Sequence, residues 1–256
     1  MIESILFVLP VAVTVGVPLY IYYRERMSKK KGDRQDRSRK RVFKLTAINL
    51  LLNTAATVYF FIIFLLIIAS LTGPIGTVEF SLSILFMLIV GITYYGNGIY
   101  ITSIVLEDYT LPDLRKAMSY KTQFIATHLF HGPISHILIY CGWLYIFLTL
   151  AVLDIASGGG VLLRQPNMLF ASGLFVGVVY AVAQIYNGTV PYQSILGFVA
   201  TVILHMTIVI KGISIWSHPL GLFFFGLLIS FELLLLFYLI LFSLRRGSID
   251  WDRSGY

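Results

Sequence analysis

Seven runs of about 20 or more mainly apolar residues, set apart by short polar punctuation, constrain this chain more than any other feature. A helix rising 1.5 Å per residue needs about 20 such residues to cross a bilayer. Little sequence is left over for a separate soluble domain. Charged residues make up only 12 % of the 256 and apolar residues 58 %, against roughly 25 % charged in an ordinary soluble domain. The expected fold is therefore an all-α, polytopic membrane bundle of about seven transmembrane helices forming a single domain over residues 1–256.

The expected crossings are Ile2–Tyr22, Val42–Thr72, Val78–Leu106, Lys121–Leu153, Asn167–Tyr186, Tyr192–Ile213 and His218–Leu244. Gly73-Pro74 closes the second, a glycine run from Ser157 closes the fourth, and Trp216-Ser217 separates the last two. Asn187-Gly188-Thr189 has the form of a glycosylation triplet, but on the expected topology it is an inner turn.

Eleven of the 19 Lys and Arg lie between Arg24 and Lys44. A basic loop at 24–44 directly after an apolar segment follows the tendency of basic residues to stay cytoplasmic, where they meet anionic lipid headgroups. No recognition fold or interleaved aromatics accompany it, so nucleic acid is not an expected partner. With the N-terminus outside and the C-terminus cytoplasmic, 17 basic residues fall inside and two, Arg164 and Lys211, outside. The segment 107–120 mixes acids, bases and apolar residues and is expected to lie along the cytoplasmic interface. The expected location is the cell membrane, with other membrane subunits as candidate partners.

The fourth crossing carries THLFHGPISH, with histidines at 128, 131 and 136. Ionisable groups inside a bilayer are costly, at least about 2.5–3.5 kcal/mol each on insertion scales, and they usually face an interior or a wet cavity. Counted from the inner ends of their helices, His136, His205 and Glu232 share a depth of about 20 Å. His128 and His131 share one helical face, which Ser135 extends. On a regular helix His136 lies about 140° away from His131, so Gly132-Pro133 must distort the helix strongly for one ion to meet all three. Asn97, in the glycine-rich TYYGNGIY of the third crossing, falls near the depth of His131. Gly91, Gly96 and Gly98 beside it favour close packing.

These residues leave several readings open. Glu232 with His205, His136 and Asn97 suits a relay or binding site for a proton or cation, in a transport or accessory role. His136 and His205 are candidate axial ligands of haem b. His128 and His131 are candidate metal ligands, and a metal-dependent intramembrane hydrolase would need a third ligand and a base, with HExxH absent. A purely structural role for each histidine is the remaining reading. No catalytic residue stands out. Cys141 is the only cysteine, which excludes an internal disulfide and thiolate clusters. His218, before Pro219, reads as a helix-end cap, and the many tyrosines at segment ends read as an aromatic belt.

Overall fold

The computed structural model describes residues 36–69, 75–106, 119–157, 163 and 165–246, with isolated positions at 8, 9, 12, 16, 17 and 20. Every regular element among them is helical. The helices are α1 (Asp36–Ala69), α2 (Thr77–Val105), α3 (Tyr120–Leu129), α4 (Ser135–Ala156), α5 (Pro166–Asn187), α6 (Val190–Lys211) and α7 (Pro219–Arg246). A π-helical turn, Phe130–Ile134, joins α3 to α4 without a break, and a 3₁₀ turn, Ile215–Ser217, precedes α7.

Six of these spans are long and apolar enough to cross a membrane, with α3, the π turn and α4 counting as one. That is the composition of a multi-pass membrane protein. The expected first crossing, Ile2–Tyr22, and most of the segment 107–120 lie outside the described residues. The expected second crossing is corrected at its start: α1 begins at Asp36, so helix continues into the basic stretch expected to be loop.

α4 is the most enclosed of the six spans. Leu144, Ile146, Leu150, Ala151 and Leu153 are fully buried on it, against α2 on one side and α6 and α7 on others. Between apolar helices in lipid there is little hydrophobic drive, so small residues that admit close backbone contact hold such bundles together. Gly142 on α4 leaves no room for a methyl group beside Thr93 on α2. Gly96 is packed against Leu138 and Ile139, whereas Gly91 and Gly98 face open space and do not serve the close packing expected of them.

The most extensive pairing joins α5 to α7. Gly173 and Gly177, one helical turn apart, leave no space for a Cβ against the Phe223 and Leu227 carbonyls, and Gly226 does the same against Phe170. The Ser230 hydroxyl completes this seam by donating to the Leu174 carbonyl at 2.7 Å. α5 ends in Gly188 and α6 in Gly212, both left-handed (φ 68° and 60°), a conformation that glycine adopts without a Cβ penalty.

The start of α7 is satisfied by a residue 66 positions away. Asp154, near the end of α4, accepts the Leu220 and Gly221 N–H groups through Oδ2, at 3.0 and 3.2 Å. Leu222 N–H reaches the His218 carbonyl at 2.8 Å, and Pro219 has no N–H to satisfy. The donors that a helix start leaves orphaned are thus all accounted for. His218 is buried, donates from Nδ1 to the Asp154 carbonyl at 3.2 Å, and lies 3.8 Å from its carboxylate. His218 acts at the helix start as the sequence suggests, but Asp154 supplies the acceptor.

Candidate functional site

The π turn follows from its own residues. Pro133 has no N–H and its ring crowds the carbonyl four residues back, so the regular bonding pattern cannot continue through it. The helix widens instead, and the Ser135 N–H reaches the Phe130 carbonyl five residues back. The Ser135 hydroxyl donates to the His131 carbonyl. Turns of this kind are rare and concentrate at functional sites.

Their consequence here is a change of face. In an i to i+5 repeat, residues five apart come round to the same side, so His131 and His136 stand together with ring centroids 6.0 Å apart. Tyr100 of α2 packs against both, at 5.3 and 5.4 Å. Tyr140, one turn beyond His136, is 6.1 Å from it. The Tyr140 hydroxyl accepts from Asn187 Nδ2 at 3.2 Å, and its carbonyl accepts from the Tyr180 hydroxyl at 2.7 Å. His136 Nδ1 is buried and makes no hydrogen bond among the described residues.

His128 packs on Phe124 at 4.0 Å, one turn towards the start of α3. Asn97 is buried and accepts from Asn53 Nδ2 at 3.3 Å, a polar link between α1 and α2. Tyr100, three residues on, continues that side of α2 towards the histidines. Asn97 therefore adjoins the histidine face through Tyr100 and is engaged in holding helices together.

Glu232 sits midway along α7, against α6. Its Oε1 lies so close to the Cα of Gly197 that any side chain there would collide with it, and the Phe231 ring closes the same notch. On α6, Ser194 and Thr201 lie about one turn to either side of Gly197. Glu232 Oε1, Ser194 Oγ and Thr201 Oγ1 are all buried, and none makes a hydrogen bond among the described residues. Gln193, fully buried, donates from Nε2 to the Ile137 carbonyl at 3.4 Å, and its Oε1 is also unbonded.

Elsewhere in the bundle, helical hydroxyls satisfy themselves locally. Thr93, Thr127, Thr149 and Thr207 each donate to the carbonyl four residues back, at 2.8 Å. Ser194 and Thr201 forgo that bond. Buried polar atoms are nearly always paired, so the unbonded Glu232 Oε1 stands out among the described residues.

The structure does not bring His205 to His136. His205 lies on the exposed side of α6, whereas His136 packs among Tyr100, His131 and Tyr140. Among the described residues no three His, Cys, Asp or Glu side chains converge on a metal position. His131 and His136 stand together beside Tyr100 of α2, and the Glu232 carboxylate lies against Gly197 of α6.

Ser194, Gly197 and Thr201 carry no sequence signal strong enough to single them out. Spacings of three and four beside a membrane carboxylate become informative only once the partner helix is known. Comparison of the chain with protein-family models, curated proteins and solved structures finds no match.

Proposed function

We propose that this is a multi-pass membrane protein of the transport or accessory class that handles a proton or small cation at Glu232, between α6 and α7. The observation that carries the reading is the Glu232 carboxylate, whose buried Oε1 is lodged against Gly197 and makes no hydrogen bond among the described residues. An acid at mid-bilayer depth is expensive to keep and is retained where it binds or relays a charge. An oxygen left without an internal partner gives that charge something to meet. His205 lies on the exposed side of α6, two turns along the helix from Gly197.

In this reading Ile2–Tyr22 is a seventh crossing, the N-terminus is outside and the C-terminus cytoplasmic. The basic residues 24–44 then lie on the anionic inner leaflet of the cell membrane. The His131–His136 pair and Asn97 line the inner half of the bundle. Purified protein in proteoliposomes should conduct or exchange protons or alkali cations, and Glu232→Gln should reduce that flux at least tenfold. Equal flux from wild type and Glu232→Gln would overturn the reading.

A further inference from the structure

We propose that the exposed side of α6 is the docking surface for a second copy of this chain, with the two His205 imidazoles hydrogen-bonded to one another across a twofold axis along the bilayer normal. The proposal is independent of what Glu232 handles.

His205 is the residue that calls for a partner. Of the five histidines it alone is exposed, and it stands six residues before Lys211, so about 9 Å of helix separates it from the end of α6. An imidazole has no long stem with which to reach the headgroups, unlike lysine or arginine. Ionisable side chains at such depth almost always meet protein or a wet cavity rather than lipid.

The apolar residues around it repeat in the way that helix pairing needs. Ile195, Phe198, Val202, His205 and Val209 follow one another at alternating spacings of three and four, and all are exposed. That is a heptad seam whose a positions, Ile195, Val202 and Val209, are β-branched, as they are in paired parallel helices. Gln193, Gly197, Ala200 and Leu204, which α6 buries, lie roughly 150° round the helix from it. The seam therefore points away from the chain's own bundle, and Gly197, which receives Glu232, is not on it.

Complementarity selects a second copy as the occupant. A neutral imidazole carries one N–H donor and one acceptor nitrogen, so one His205 ring can donate to another. Copies of one chain inserted in the same direction pair their α6 helices in parallel, and a twofold axis between them sets each seam residue opposite its own counterpart. His205 then faces His205, and Val202 faces Val202. A single polar residue in an apolar seam also fixes the register, because a slip of one heptad sets an imidazole against Phe198.

The test is disulfide formation by the full chain in phosphatidylcholine vesicles, in a Cys141→Ala background. Under mild oxidation Val202→Cys should give a linked dimer, and Ile210→Cys, exposed but roughly 100° from the seam, far less. Energy transfer between donor- and acceptor-labelled chains, followed as lipid is added, measures the dissociation constant of the dimer. It should rise at least about fivefold in His205→Leu and stay within about twofold in His205→Asn, whose amide again offers a donor and an acceptor. Equal cross-linking at 202 and 210, monomers at every lipid dilution, or equal dissociation constants for wild type and His205→Leu would overturn the proposal. A Val202→Cys adduct with a different protein in native membranes, in place of the dimer, would overturn it too by giving the face to another partner.

Discussion

His131 and His136 are five residues apart, yet their rings stand 6.0 Å from one another on one side of the helix, because the turn between them is π-helical. A regular helix would set them about 140° apart. The whole face that α3 and α4 present to Tyr100 therefore depends on Pro133 and the wider turn it imposes.

Replacing Pro133 restores an N–H and removes the ring that forces the turn open. In a Cys141→Ala background with cysteines in place of His131 and His136, a short bifunctional thiol reagent should link the two positions efficiently. Adding Pro133→Ala should lower that yield several-fold. Equal yields with and without the proline would show that the π turn has another cause.

The glycines divide into two groups that the same substitution should separate. Gly173→Ala places a methyl group against the Phe223 carbonyl at the α5–α7 seam, and overpacking of this kind typically costs about 1–3 kcal/mol. Gly98→Ala meets nothing within 4 Å and gains about 1 kcal/mol of helix propensity. Thermal unfolding in detergent should show a clear fall in Tm for Gly173→Ala and none for Gly98→Ala. Equal effects would mean that the seam is not the close contact described.

The positions of the helices were legible because a bilayer dictates their length and the loops between them carry glycine and proline. The expected span Asn167–Tyr186 corresponds to Pro166–Asn187 in the structure, and Lys121–Leu153 to Tyr120–Ala156. α1 departs from this pattern at its start, where helix runs on into charged residues that no apolar run could signal. Rotation about each axis was not legible. Counting from the helix ends puts His205 and Glu232 at one depth, yet the Glu232 carboxylate meets α6 at Gly197, about 12 Å along the helix from His205, and His205 is on the exposed side. Asp154 was missed for a related reason: its partners at His218, Leu220 and Gly221 lie on another helix. Gly173 and Gly177 went unread as well, because the value of their four-residue spacing appears only with the Phe223 and Leu227 backbone of α7 set against them.

Asp154 accepts two N–H groups at the start of α7, so its removal leaves both buried and unpaired. Such groups cost about 1–3 kcal/mol when orphaned. Asp154→Ala should therefore lower Tm by several degrees, and Asp154→Asn, which keeps an acceptor, by less. An unchanged Tm for Asp154→Ala would show that water reaches this helix start and replaces the carboxylate.

Charge displacement on a solid-supported membrane tests the ion-handling claim most directly, since it detects binding of an ion within the bilayer even when net transport is slow. Proteoliposomes of the wild type should give a transient current on a sodium or pH jump. Glu232→Gln should abolish it, and His205→Ala, on the exposed side of α6 two turns from Gly197, should retain most of it. A transient of undiminished size in Glu232→Gln, or none in the wild type under either jump, would contradict the assignment of Glu232 as the group that meets the ion.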